Sequence, residues 1–405
     1  MKAVVYLFFF FMLFPYIDFI NIGSDTQPNT LLIGLFIAFG LKDKRVNTPI
    51  IILFILFLLS ILCAVDSQLT TWTTIKNVVN YFSPFFFCFI IYNVFRRTKI
   101  KLPFFWFMAA MYFYMFVSFM QMYVITDFLT SFIGARGIMY AGRGVVSLTP
   151  EPAYYGTLML FFGVFSLLYY NKKQNWHAIP NILFQLVFLA KTSTALGMFM
   201  LAIIAFAIIQ LLKFNLKAIS AFLIGIIILA ASYETIMKQI EETRVGLMVQ
   251  QVIEDPWLLA LADESASVRI TSSYAPFMVM KHNHFLPMGF GRFQAFVTRM
   301  LHEGHYRNLI TSRTVLVRDK IGGGINMMCF HLGFLGLLFP LAIYLSFKRL
   351  LYRHEILLGM LVFMFLLFTQ MQMLNAIIGV IIGTALYKSK ELEDAQKATS
   401  LTDSP

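Results

Sequence analysis

The chain has 405 residues, of which 59% are hydrophobic and 13% charged, with a formal net charge of +12. Soluble domains carry about 25% charged residues, so this composition excludes a water-soluble globular fold. The basic excess is assigned to membrane orientation rather than to nucleic acid, because lysine and arginine on one side set topology.

Apolar runs of transmembrane length recur along the chain. Stretches such as "IIILFILFLLSILCAV" at 50–65 do not alternate apolar with polar residues. A β-barrel is thereby excluded, and an all-α polytopic membrane protein is expected. Lys2 followed by "AVVYLFFFFMLF" has the look of a signal peptide. No small-x-small cleavage site follows, so an uncleaved first helix is expected. Spans are expected near 3–20, 29–41, 48–65, 77–95, 102–126, 153–170, 179–190, 193–212, 216–236, 324–347, 355–370 and 371–387. They number about twelve. The second and seventh are short for a crossing and are read as extended, broken or re-entrant helices.

With a cytoplasmic N-terminus, the inner segments carry "KDKR" at 42–45, "RRTKIK" at 96–101, Lys172, Lys173, Lys213, Lys217, "KRLLYRHE" at 348–355 and "KSKELEDAQK" at 388–397. The short outer segments carry only Lys76, Arg136, Arg143 and Lys191. This asymmetry leads to the expectation that both termini lie in the cytoplasm. Residues 1–390 form a single transmembrane domain with external loops at about 127–152 and 237–323, and 391–405 form a disordered cytoplasmic tail. Cys63, Cys88 and Cys329 are far apart in apolar runs and read as packed thiols.

The external segments are rich in arginine, whose planar fork binds carboxylate or phosphate bidentately. Arg143 lies in "GRG", where glycines let a ligand approach the backbone. Arg269 lies in "SASVR", in an amphipathic helix expected to start near Ser265. Arg136, Arg292 and Arg313 are secondary candidates. Each arginine also has a plainer reading, as a contact to lipid headgroups or to Glu241, Glu242, Asp255, Asp263 or Glu264.

Glu151 stands between Pro150 and Pro152. The residue before proline avoids helical geometry, and proline suits a first helical turn. The sixth span is therefore expected to start at Pro152, with Glu151 just outside its positive end. Two roles remain open for Glu151: a helix-start carboxylate that pairs with an arginine, or a fixed acid or base. Lys191, at the outer tip of the seventh and eighth spans, is either a snorkelling lysine or a cavity-lining one. Tyr154, in the first turn of the sixth span, joins the substrate-contact candidates. "GFGRF" at 289–293 lacks the strand–turn–helix context of a nucleotide loop. "HEGH" at 302–305 and "HNH" at 282–284 lack metalloprotease spacing, so no metal or other cofactor is expected. His331, inside the tenth span, reads as a packed histidine bonded to a neighbour.

The order of these elements is familiar. An external arginine precedes "TPEPAYYG" at a helix start; "TSTALGMFML" opens another helix; "SASVR" lies in a large external loop; "MGFGRFQAF" follows; and "HLGFLGLLF" lies in the next span. Over roughly 130–347 this resembles the bacterial O-antigen polymerase and ligase superfamily, with Gly333 and Gly336 as the paired glycines of the late span. The resemblance implies glycan transfer from undecaprenyl pyrophosphate at the outer face of the cytoplasmic membrane. Polymerases of the Wzy type pass the growing chain to the next lipid-linked unit, and a chain-length-regulating co-polymerase is an implied partner. Ligases pass finished chains to lipid A–core. Where ligases carry His-Asn before the late glycines, this chain reads "IGGGIN", which favours polymerase. Arg313 also has a glycine, Gly324, eleven residues later, a spacing found in some polymerases. A transporter or flippase of a lipid-linked glycan is the other class, and it would place charges deeper in the spans.

With that resemblance, Arg143 and Arg269 are expected to hold the pyrophosphate, helped by Arg136, Arg292, Arg313, Lys191 and Tyr154. Glu151 is expected to orient or deprotonate the acceptor hydroxyl.

Overall fold

The computed structural model describes residues 1–18, 26–67, 69–98, 100–134, 144–213, 220, 273–274, 276–278, 280–302, 321–369 and 373–402. All regular structure among these residues is helical. The helices are α1 (Lys2–Leu13), α2 (Asn29–Gly40), α3 (Thr48–Val65), α4 (Thr71–Thr98), α5 (Phe104–Tyr123), α6 (Pro152–Tyr169) and α7 (Lys172–Phe184). They continue with α8 (Ser193–Leu212), α9 (Phe293–His302), α10 (Gly324–Leu332), α11 (Leu338–Phe347), α12 (His354–Thr369) and α13 (Ala376–Thr402).

Among the described residues, six segments are long and apolar enough to cross a membrane: α3, α4, α5, α6, α8 and Gly324–Leu350, which contains α10 and α11. The chain is a helical membrane protein. α3 and α8 have only 28% and 22% of their apolar windows buried, whereas α4 and α6 reach 67% and 72%. The first pair therefore faces lipid, and the second forms the centre of the bundle. Several exposed aromatic residues lie at helix ends, the placement that suits a membrane interface. Trp106, Trp176 and Tyr352 lie at one end, and Trp72 and Tyr123 at the other. Trp106 and Tyr123 are about 26 Å apart along α5 at 1.5 Å per residue, close to the ~30 Å of a hydrocarbon core.

Side-chain contacts join alternate helix ends into one face. The Tyr169 hydroxyl, at the end of α6, lies 2.7 Å from the Leu102 N–H before α5. Phe95 of α4 packs on Tyr387 of α13 with ring centroids 5.7 Å apart. Gln210 of α8 lies 3.1 Å from His354 Nδ1 of α12. Lys42, Lys44, Arg45, Arg96, Arg97, Lys101, Lys172, Lys173, Arg349 and Arg353 belong to this face by their positions at these helix ends.

α13 runs through the centre against α4. A Cβ on Gly379 would sit 2.6 Å from Phe87 Cβ and 2.9 Å from the Cys88 nitrogen; one on Gly383 would sit 2.7 Å from the Cys88 oxygen. Between lipid-solvated helices, close backbone approach of this kind supplies the dispersion that hydrophobicity does not. Gly379→Val is expected to cost about 1–3 kcal/mol through overpacking, read as a lower unfolding temperature in detergent. Gly197→Ala in α8, where nothing lies within 4 Å, serves as the control and should hold or raise that temperature. Equal behaviour of the two variants would contradict the packing.

Four elements differ from expectation. The first span ends at Leu13 because Pro15 cannot continue the hydrogen-bond ladder. The seventh starts earlier, at Lys172, where Asn171 and Gln174 form a capping box, and one π-helical turn carries it on through Gln185–Ala190. The late span is interrupted: α10 ends at Leu332, before Gly333, whose φ of 59° leaves the helical region, and a short 3-10 turn leads into α11. The charged tail is helical as far as Thr402 rather than disordered. Lys397 and Lys390 lie 2.8 and 3.1 Å from Glu393, and Arg349 bonds the same carboxylate. Together these cations, Lys397 foremost, hold the Glu393 carboxyl down to about 2. Most of the ninth expected span, 216–236, lies outside the described residues.

Candidate functional site

The segment 144–150 has no regular structure, yet every residue in it is buried. The last part of the segment 127–152, expected as an external loop, is packed into the bundle. Irregular backbone at such a position needs protein partners. The Val145 N–H donates to the Leu189 carbonyl at 3.0 Å. Gln121 of α5 acts as a second backbone: its Oε1 accepts from the Ser147 N–H at 2.7 Å, and its Nε2 donates to the Ser147 and Phe128 carbonyls at 3.0 and 2.9 Å. The Ser147 hydroxyl donates to the Tyr114 carbonyl at 2.8 Å. These bonds hold Ser147 at a φ of 51°, a left-handed conformation that a serine rarely adopts. Gly144 lies where a Cβ would meet the Ala190 oxygen at 2.0 Å, so only glycine allows this approach.

Beneath the segment lies a buried polar chain. The Tyr155 hydroxyl donates to Gln185 Oε1 at 2.6 Å, and Ser118 Oγ lies 3.0 Å from that hydroxyl. Gln185 Nε2 donates to the Met111 carbonyl at 3.0 Å and to Asn181 Oδ1 at 2.6 Å. Helices α5, α6 and α7 are thus joined just below the loop. Gln121→Leu removes the clamp and leaves buried Ser147 groups unpaired, at about 1–3 kcal/mol each. Its unfolding temperature in detergent is expected to fall; an unchanged value would mean that the loop is held by other contacts.

The rigid segment delivers Glu151 to the start of α6. Glu151 is extended at φ −149° and ψ 154°, as a residue before proline should be, and α6 begins at Pro152 as expected. Its carbonyl accepts the first helical N–H groups, those of Tyr154 and Tyr155. Its carboxylate is half-buried and makes no capping bond, and it has no ion pair among the described residues. The Tyr154 ring packs 5.9 Å from that of Tyr16. A Cβ on Gly156 would lie 2.1 Å from Thr192 Cγ2, so the start of α6 touches the turn before α8. Lys191 in that turn is exposed, with a φ of 43°. The helix start that carries Glu151 and Tyr154 thus packs close to the turn that carries Lys191.

Arg292 belongs to a different group. Its guanidinium bonds the Asp66 carboxylate at the end of α3. The surrounding "MGFGRF" turn fills the break in the late span: the Met288 and Gly289 N–H groups donate to the Phe330 and His331 carbonyls at 3.3 and 3.1 Å, and the Phe334 N–H donates to the Phe285 carbonyl at 3.1 Å. Cys63 Sγ also lies 3.7 Å from the His331 carbonyl. His331 is buried, with Nδ1 3.1 Å from the Tyr81 hydroxyl, the packed arrangement its position suggested. In the structure Arg292 makes a loop-anchoring bond to Asp66. Arg136, Arg143, Arg269 and Arg313 lie outside the described residues.

No family model matches this chain, and no curated protein matches it either. A functional assignment therefore rests on the chain's own residues. Sequence reading passed over Gln121, Ser147, Tyr155 and Gln185, which hold the segment before Glu151 and join the helices beneath it. The signal was present: amides and hydroxyls inside apolar spans are rare and usually have a job.

Proposed function

We propose that the protein is a polymerase of undecaprenyl-pyrophosphate-linked oligosaccharide units, working at the outer face of a bacterial inner membrane. It has about twelve crossings and both termini in the cytoplasm, on the side of the basic face. The observation that carries this reading is the half-buried Glu151 carboxylate at the positive end of α6, positioned by a buried clamp and without a partner among the described residues. The order of "TPEPAYYG", "SASVR", "MGFGRFQAF" and "HLGFLGLLF" adds the resemblance to the polymerase and ligase superfamily.

In this mechanism Glu151 accepts the proton of an acceptor sugar hydroxyl. The hydroxyl oxygen attacks the anomeric carbon of the donor chain. The bond from that carbon to the phosphate oxygen breaks, and undecaprenyl pyrophosphate leaves with the electron pair. Arg143 and Arg269, with Arg136, Arg313 and Arg292 in support, stabilise the developing charge at a low-dielectric interface. Donor and acceptor are both lipid-anchored, so the protein mainly orients them. Direct displacement inverts the anomeric centre. The reaction requires neither a metal nor a nucleotide sugar.

A gel of surface polysaccharide from a deletion strain tests the assignment. A single capped unit without a ladder is the expected result. Bare core with polymer retained on the carrier would point instead to a ligase, and units stranded inside to a transporter.

A further inference from the structure

We propose that the basic face carries a binding site for an anionic phospholipid, formed by the α2–α3 turn and the end of α4. This goes beyond the glycan chemistry and does not depend on it. The turn is fixed from within. Asn93 of α4 is buried; its Oδ1 accepts from the Arg45 N–H at 2.8 Å, and its Nδ2 donates to the Arg45 carbonyl at 3.0 Å. Asp43 has a φ of 51°, and its carbonyl is bonded by the Arg96 guanidinium. The basic side chains of this turn therefore project from a held backbone.

The charges do not balance. The Asp43 carboxylate lies 3.5 Å from both Arg96 and Arg97 and is shared between two guanidiniums. Lys42, Lys44 and Arg45 around it are exposed. The unsatisfied hydrogen-bonding capacity has one sense. Arg96 Nε and Asn47 Nδ2, the latter at the end of the same turn, are buried without partners, and both are donors. A site with surplus cations and surplus donors takes an acceptor-only anion, and a phosphate diester is one.

Position decides between a lipid and a free anion. Phe36 and Phe39 on α2 are 72% and 86% exposed, and Val46 in the turn is 53% exposed. An apolar strip thus runs directly into the basic turn. α2 has only 12 residues, about 18 Å, so it leaves part of the bilayer depth uncovered beside it. A phospholipid fits both parts, with its phosphate on the guanidiniums and its acyl chain along the phenylalanines.

The test uses the purified full-length protein in neutral detergent, with lipid binding read by native mass spectrometry. Phosphatidylglycerol is titrated beside phosphatidylcholine and inorganic phosphate. Wild type should retain phosphatidylglycerol in preference to phosphatidylcholine, and inorganic phosphate should not displace it. Arg96→Gln combined with Arg97→Gln should weaken retention at least about tenfold. Because those arginines also hold Asp43, Lys42→Gln combined with Lys44→Gln provides a second arm that leaves the turn intact, with a loss of about tenfold. Equal retention by wild type and the lysine variant, or equal binding of the two lipids, would overturn the proposal. Displacement by inorganic phosphate would make it a free-anion site and overturn the lipid assignment.

Discussion

Glu151→Gln is expected to abolish the polysaccharide ladder while the protein still inserts. Glutamine keeps the shape of the side chain and the extended geometry before Pro152, so α6 should start unchanged. What it removes is the capacity to accept a proton at a fixed place. Loss of a positioned general base typically lowers turnover by about 10²–10⁴-fold. Because the carboxylate makes no capping bond, the folded state should lose little. The pair of readings that separates the roles is chain length on a gel and protein level in the membrane. A near-normal ladder from Glu151→Gln would return this residue to a helix-start role.

Arg143→Lys and Arg269→Lys form the second large expectation. Each substitution keeps the charge but replaces a planar fork with a point donor. If the arginines hold a departing pyrophosphate, each loss should cost about 10²–10³-fold in turnover, as removal of a charge-stabilising donor does elsewhere. Membrane protein levels should stay near wild type. Normal ladders from both variants would remove these residues from the site. Gly144, which follows Arg143 in the chain, is packed against the Ala190 oxygen. The position after Arg143 is thereby tied to a fixed part of the bundle.

Much of the helical frame was legible because its causes are local. α3 spans Thr48–Val65, matching the apolar run bounded by Asn47 and Asp66, and α8 spans Ser193–Leu212, matching another. The start of α6 followed from two prolines around one glutamate. Where tertiary contacts decided, the sequence was silent. "HLGFLGLLF" reads as an uninterrupted span; the break at Gly333 depends on the 285–289 backbone, which takes over the freed groups. The start of α7 was obscured by "KKQNWHAIP", whose charge and proline hide a helix, although the Asn171–Gln174 capping box was readable. The tail shows few apolar residues, yet Leu392 packs against the core, Ser389 donates to the Ser346 carbonyl at 2.6 Å and ion pairs extend the helix beyond them.

The candidate site was half legible. Glu151 was evident as an acidic residue at an apolar boundary. Its support was not, because the Gln121–Ser147 clamp joins residues far apart in the chain and shows no local pattern. Arg292 was singled out for its charge and its glycine-rich context. Its bond to Asp66 could not be foreseen from the "GFGRF" spacing.

The most direct measurement gives purified protein in lipid one substrate, the undecaprenyl-pyrophosphate-linked oligosaccharide unit, and no metal or nucleotide sugar. The account predicts glycans of two or more units on the lipid carrier, release of one undecaprenyl pyrophosphate per new linkage, and loss of both products in Glu151→Gln. Unchanged single units after prolonged incubation with well-folded protein would contradict it.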